Sequence, residues 1–137
     1  MKTLLTFTII FCFAIFTQAQ DVKTAQEISS LLKDKGTLSK LHYPQSVIRF
    51  YAGINSEFAW ITAEKSDQPE TAMLLLEYSY RFGLSLSDYH WDSISLQKLR
   101  KLRDTPVEEN QSGKAEFDIL MTDALITFIN HLHLGKY

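Results

Sequence analysis

The sequence contains very little cysteine: Cys12 is the one thiol in 137 residues. It lies within residues 1–19, which we predict to be a cleaved signal peptide. Residues 20–137 then have no disulfide to support the fold, so these 118 residues (137 minus 19) must form a hydrophobic core sufficient for one domain. The absence also excludes mechanisms that require a cysteine nucleophile, for this chain acting alone.

An apolar run of membrane-spanning length is also lacking. After Lys2, an uncharged apolar run covers residues 4–16, about thirteen residues, whereas a spanning helix needs roughly twenty. Thr17 and Ala19 are small residues at the positions that a signal peptidase recognises, so we predict cleavage after Ala19. Lipidation of Cys12 is disfavoured because it lies in the middle of the run. We therefore expect an exported protein with no membrane association after cleavage.

Excess positive charge is missing as well. Loss of Lys2 with the signal peptide leaves 13 basic side chains (14 minus 1) against 16 acidic ones, a net charge near −3. A nucleic-acid partner calls for a basic surface. The one basic cluster, at residues 98–103, is typical of the solvated side of a helix, so we expect no nucleic-acid binding.

Alternation of apolar and polar residues with a period of two, the pattern of a half-buried strand, is not sustained in any segment. Apolar residues instead recur at three- and four-residue steps. The sequence predicts an all-α, single compact domain of about five helices over residues 20–137. The predicted helices cover residues 21–35, 44–53, 67–83, 94–102 and 116–135, with a short helical turn at 87–91 and a mobile loop at 104–114.

The last predicted helix, residues 116–135, has the strongest apolar stripe and should lie at the centre of the core. Gly135 is a residue suited to a helix end. The stripe consists of Phe117, Leu120, Met121, Ala124, Leu125, Phe128, Ile129 and Leu132. Of these, we expect Leu120, Leu125 and Phe128 to be nearly fully buried.

Three polar residues accompany this stripe: Asp118, Thr122 and Asp123. Asp118 and Thr122 are four residues apart and so lie on one line of the helix. The favoured interpretation is structural, with hydrogen bonds or caps that tie neighbouring loops to the helix. The alternative is a pair of catalytic carboxylates, but adjacent turns of one helix rarely aim two carboxylates across a substrate cleft.

Four histidines raise the question of a metal site: His42, His90, His131 and His133. His131 and His133 are two apart on a helix and point to nearly opposite sides, whereas a helical metal-binding pair needs a spacing of three or four. Residues 20–137 also offer no cysteine ligand. We therefore expect no metal and no cofactor.

Trp60, Tyr89 and Trp91 are candidates for contact with a glycan or a protein partner. Aromatic faces stack on sugar rings. The favoured interpretation is that dense aromatics form the core of a small domain without disulfides, where Trp and Tyr need one polar partner each. Contact with a glycan or partner is the alternative for these three residues.

Three pieces of the sequence, in this order, resemble one known family. The first has VIRFY at 47–51 and FAWI at 58–61, the second has LLL at 74–76, FGL at 82–84 and DYH at 88–90, and the third is AEFDILMTDAL at 115–125. They are similar to the non-catalytic helical scaffold domain of the large YcbB-type murein L,D-transpeptidases. Together they span most of the chain after the signal peptide.

The resemblance implies a periplasmic location and a relation to enzymes that join peptidoglycan stem peptides through a cysteine acyl-enzyme. In those enzymes the scaffold domain holds a peptidoglycan-binding module and the catalytic domain in relation to each other. No catalytic histidine and cysteine motif follows residue 125 here, so no catalytic residue carries over. We expect a stand-alone or truncated scaffold domain without transpeptidase activity, acting in cell-wall organisation, with peptidoglycan or other transpeptidase domains as partners.

Two other hypotheses come from different classes. One is a small exported adaptor that recognises peptidoglycan or an envelope protein, which exposure of Trp60, Tyr89 and Trp91 in one groove would favour. The other is a carboxylate hydrolase that uses Asp118 or Asp123.

Overall fold

The structure, a computed structural model, describes residues 22–62 and 66–136. The predicted signal peptide, residues 1–19, lies outside this range. All regular secondary structure in the described residues is helical, which confirms the prediction of an all-α, single compact domain.

The described part of the chain has six α-helices and three short 3-10 helices. The α-helices are α1 (residues 22–31), α2 (Lys35–Lys40), α3 (Pro44–Gly53), α4 (Gln68–Glu77), α5 (Leu96–Asp104) and α6 (Gln111–Leu134). The 3-10 helices are Tyr78–Phe82, Leu86–Tyr89 and Val107–Glu109.

The first predicted helix, residues 21–35, is confirmed over residues 22–31 and is wrong beyond residue 31. Helix α1 stops at residue 31, and a separate helix α2 begins at Lys35. The cause is Asp34, whose carboxylate accepts the backbone N–H of Thr37 at 2.7 Å and so caps a new helix start. Gly36 therefore lies inside α2 and does not close α1.

Helix α4 is extended by the 3-10 helix Tyr78–Phe82, and the predicted stop at Gly83 is confirmed. Gly83 has a φ of 71°, in the left-handed region that glycine adopts without a steric penalty. This turn leads the chain toward the 3-10 helix Leu86–Tyr89, which packs on α6.

The prediction of a mobile loop at residues 104–114 is wrong. The segment contains the 3-10 helix Val107–Glu109, and α6 begins at Gln111. Lys114 is buried because its aliphatic chain packs inside the domain while its ammonium donates to the backbone carbonyl of Thr105. Burial lowers the pKa of Lys114.

Helix α6 is the central element, in contact with α3, α4, α5 and two of the 3-10 helices. From residue 117 to 124 every side chain is buried, and eight successive residues point in all directions around a helix. The buried side chains of α6 are Lys114, Ala115, Phe117, Asp118, Ile119, Leu120, Met121, Thr122, Asp123, Ala124, Thr127 and Phe128. The other elements thus enclose α6 and do not simply cover one face of it.

The predicted stripe is correct in its first part and wrong toward its end. Leu120 and Phe128 are buried, but Leu125 is only partly buried, and Ile129 and Leu132 are 61% and 46% exposed. Beyond Phe128, the last turns of α6 are covered only in part, for example by Tyr89 at His131. No helix in the described ranges has the length and apolar character needed to cross a membrane.

Candidate functional site

Asp118 is completely buried and ties α6 to two other parts of the chain. Its Oδ1 accepts the N–H of Ala59 at 2.8 Å and the hydroxyl of Tyr51, on α3, at 2.7 Å. Its Oδ2 accepts the N–H groups of Trp60 and Ile61, both at 2.9 Å. One carboxylate therefore orders three successive residues of the irregular connector that follows α3 (residues 54–62).

Thr122 completes this arrangement one turn further along α6. Its hydroxyl lies 3.0 Å from the Tyr51 hydroxyl and accepts the indole N–H of Trp60 at 2.9 Å. It also lies 3.0 Å from the backbone carbonyl of Asp118, which can accept its proton. Asp118, Thr122, Tyr51 and the connector thus form one buried hydrogen-bonded network.

The electrostatics of Asp118 suit a structural role. Burial raises the pKa of Asp118, and the hydrogen bonds from Ala59, Tyr51, Trp60 and Ile61 act in the opposite direction. Burial and the neighbouring carboxylate also raise the pKa of Tyr51 well above its ordinary value, so its hydroxyl stays protonated and donates. With four donors bound and no exposed surface, this carboxylate has no open side for a substrate.

Asp123 is also completely buried, but it binds different partners. Its Oδ1 accepts the N–H of Tyr43 at 2.8 Å, and its Oδ2 accepts the N–H of His42 at 2.9 Å. These two residues directly precede Pro44, so Asp123 fixes the start of α3 to α6. Asp118 and Asp123 thus serve separate loops, and the arrangement does not resemble two carboxylates that face each other across a cleft.

Two imidazoles meet at Asp123. The His42 Nδ1 lies 3.2 Å and the His90 Nε2 lies 2.7 Å from the same Oδ2, and the ring centroids of the two histidines are 5.0 Å apart. Burial alone would raise the pKa of Asp123, but hydrogen bonds from His90, His42 and Tyr43 hold it below its ordinary value. His42 is exposed at its ring, whereas His90 is mostly buried.

Sequence reasoning missed this cluster. His42 and His90 lie far apart in the sequence. The rule that a metal-binding pair is three or four residues apart applies only to two histidines of one helix. A signal was nevertheless present, because His90 and Asp123 each lie in one of the motifs DYH and AEFDILMTDAL. The structure shows that these two motifs meet.

The three aromatic candidates for partner contact do not share one environment. Tyr89 is fully buried, with its ring edge-on to Phe128 and its hydroxyl 3.1 Å from the His131 Nδ1, so it is not available to a glycan. Trp60 and Trp91 are partly buried and pack against the core. The three rings therefore do not share the exposed groove that would favour the adaptor hypothesis, because the 3-10 helix that carries Tyr89 packs directly on α6.

An apolar surface remains uncovered where α6 ends. A cleft of about 300 Å³ lies between the end of α6 and the turn after the 3-10 helix Tyr78–Phe82, and exposed Phe82 and Leu132 line it together with the polar residues His131 and Lys136. We call this the apolar cleft. The exposed large apolar residues of α4, of the 3-10 helix that follows it and of α6 are Leu74, Leu75, Tyr78, Tyr80, Phe82, Ile129, Leu132 and Leu134.

Comparison with a protein-family model identifies the family of this chain. Neither curated proteins nor solved structures gave a match. The model of the family described as "Scaffold domain" matches residues 45–137, which include all but the first residue of α3, helices α4 to α6 and both buried aspartates. This match covers more than half of the chain, and the chain therefore belongs to the Scaffold domain family.

Proposed function

We propose that this protein is a non-catalytic scaffold of the bacterial cell envelope, exported to the periplasm, where it positions a domain of a peptidoglycan cross-linking L,D-transpeptidase. Membership of the Scaffold domain family supports the scaffold role. The relation to L,D-transpeptidases and to the cell wall is supported by the resemblance at residues 47–61, 74–90 and 115–125.

The observation that carries the proposal is the apolar cleft together with the exposed apolar side chains around it. Exposed apolar residues scattered singly are ordinary, but here Phe82 and Leu132 share one concave surface, and Ile129 and Leu134 are also exposed on the last turns of the same helix. Such a surface suits a protein partner, since burying it would remove apolar area from water.

We also propose that the protein has no catalytic activity of its own. Cys12 is the only thiol and lies in the predicted signal peptide, while Asp118 and Asp123 are buried and bound by backbone N–H groups. Purified protein should leave tetrapeptide-donor muropeptides unchanged. Cross-linking, or exchange of the terminal D-residue, would contradict this part.

The scaffold role can be tested by binding. The purified protein should bind the peptidoglycan-binding and catalytic modules of a YcbB-type L,D-transpeptidase in isothermal titration calorimetry. Leu132→Ser should weaken this binding at least about tenfold, because a leucine side chain buried in an interface contributes about 1.5–3 kcal/mol of apolar transfer.

The matched control is Val22→Ser, which changes an exposed apolar residue on helix α1. It should leave the affinity unchanged. Absence of binding, or equal weakening by both substitutions, would count against the proposed surface. Circular dichroism of each variant checks that the fold is retained.

A peptidoglycan-binding adaptor is the second candidate, favoured by the partial exposure of Trp91. Purified sacculi should then pellet the protein, and Trp91→Ala should release it. Trp60→Ala is a poorer probe because Trp60 also donates its indole N–H to Thr122, so its loss weakens the fold itself. Failure of the parent protein to pellet with sacculi would exclude this candidate.

A further inference from the structure

We propose that His42, His90 and Asp123 form a binding site for a divalent transition-metal ion of the zinc type. This inference is independent of the scaffold role and rests on the convergence of three side chains that are ligands by chemistry. One potential ligand atom from each residue lies within 4.8 Å of the other two.

Two of the three ligand spacings are slightly shorter than those in a zinc site. The His42 Nδ1 and the His90 Nε2 lie 3.2 and 2.7 Å from Asp123 Oδ2. In a tetrahedral zinc site with bonds of about 2.0–2.2 Å, two ligand atoms are about 3.4 Å apart. To take an ion between them, the His90 Nε2 would have to move away from Asp123 Oδ2 by about 0.7 Å and the His42 Nδ1 by about 0.2 Å.

The chemistry of the donor set also fits. Two imidazole nitrogens and one carboxylate oxygen are typical of zinc sites that keep an open coordination position, and imidazole suits zinc and its neighbours in the transition series. The ring of His42 is 47% exposed, whereas that of His90 is 13% exposed and Asp123 is buried. The exposed ring gives an ion a path from solvent, and water could fill the remaining position.

Backbone groups hold the Asp123 carboxylate in place in addition to the His42 and His90 imidazoles. The backbone N–H groups of His42 and Tyr43 bind its two oxygens at 2.9 and 2.8 Å. Hydrogen bonds of this kind orient a ligating carboxylate and strengthen metal sites. His90 itself has a φ of 53°, uncommon for a residue with a side chain, and its carbonyl accepts the N–H groups of Ser93 and Ile94.

The competing explanation is that the imidazoles simply donate hydrogen bonds to Asp123, since both distances also fit N–H···O bonds. The two explanations differ in what happens when Zn²⁺ is added. A metal site takes up one equivalent with a saturable isotherm and raises the melting temperature as the Zn²⁺ concentration rises. A cluster held only by hydrogen bonds does neither.

The experiment is a Zn²⁺ titration of the purified protein without a histidine tag, followed by calorimetry and by thermal melting. His42→Gln is the main variant, because an amide can still donate to Asp123 but is a poor zinc ligand. We expect its affinity for Zn²⁺ to fall at least about tenfold, with the fold intact by circular dichroism. His133→Gln, which changes an exposed histidine outside the cluster, is the control and should bind as the parent does.

Substitution with Co²⁺ gives a second measurement. Visible d–d absorption should appear on addition of Co²⁺ to the parent and to His133→Gln, and should weaken in His42→Gln and His90→Gln. The proposal is overturned if the parent shows no saturable uptake of either ion, or if His42→Gln binds them as tightly as the parent.

Discussion

Replacement of Asp118 by alanine should destabilise the domain far more than the loss of a surface charge. The change removes the acceptor for the N–H groups of Ala59, Trp60 and Ile61 and one partner of the Tyr51 hydroxyl. Ile61 is buried, so its N–H cannot turn to water, and an orphaned buried donor costs about 1–3 kcal/mol.

The other hydrogen bonds lost with the Asp118 carboxylate cost less free energy. Ala59 and Trp60 are partly exposed, and each hydrogen bond lost there costs about 0.5–1.5 kcal/mol. The Tyr51 hydroxyl keeps Thr122 as a partner. Removal of a buried charge offsets part of the sum, so we expect Asp118→Ala to cost about 2–5 kcal/mol. That is a large share of the roughly 5–15 kcal/mol that stabilises a typical domain.

Asp118→Asn should be nearly as costly although it keeps the shape. An asparagine has one acceptor oxygen and one NH₂ group, so it can serve either the donors at Oδ1 or those at Oδ2, but not both. The NH₂ group of the asparagine would then face two hydrogen-bond donors, which it cannot accept. An isosteric change that costs about as much as truncation would identify hydrogen bonding, and not volume, as the source of the effect.

The assay is urea denaturation followed by circular dichroism. With a denaturant slope of about 1–3 kcal/mol per molar, a loss of about 3 kcal/mol moves the midpoint by about 1–3 M. Asp92→Asn is the control, since Asp92 is exposed. If both Asp118 variants moved the midpoint no further than Asp92→Asn, the hydrogen-bonded network would not be what holds the connector to α6.

Three further outcomes follow from the packing and charges. Leu120→Ala should lower the free energy of unfolding, measured by urea denaturation, by about 2–5 kcal/mol. Leu132→Ala, on the exposed end of α6, should lower it by less than about 0.5 kcal/mol, and equal losses would show that the core does not lie around Leu120. The destabilisation caused by Asp123→Asn should be full near pH 7 and shrink only as the pH falls below about 4, the ordinary pKa of an aspartate, because the pKa of Asp123 is held below that value and the carboxylate is lost on protonation. An effect independent of pH would refute this. Gly83→Ala should lower stability by about 1–2 kcal/mol through its left-handed φ, although nothing lies within 4 Å of the added methyl group; an unchanged melting temperature would contradict the strain argument.

The fold class and most helix ends were predictable because they depend on neighbours in the sequence. Pro44 marks the start of α3, and Gly83 and Gly135 mark stops, since proline and glycine restrict or permit backbone angles locally. The start of α6 was not predictable in this way. Residues 111–115 have no apolar side chain larger than that of alanine, and they are helical because the rest of the domain covers Lys114 and Ala115.

The sequence predicted the type of interaction at the site but not the groups that take part in it. Two aspartates and a threonine on an otherwise apolar helix indicated hydrogen bonds to loops, but their partners depend on how α3 and the connector pack on α6. The meeting of His42, His90 and Asp123 is wholly tertiary, because no local pattern relates the three positions. The burial of Tyr89 has the same origin.

The enclosure of α6 on all sides places an order on the folding of this chain. Helices α3, α4 and α5 are synthesised before α6, on which they pack, so the apolar side chains of α3 and α4 that face α6 lack this cover until residues 114–128 leave the ribosome. Domains generally fold as units once their residues are available. We therefore expect the apolar side chains of α3 and α4 to stay uncovered until α6 has been synthesised, and a chaperone that binds exposed apolar segments to have access to them in that interval.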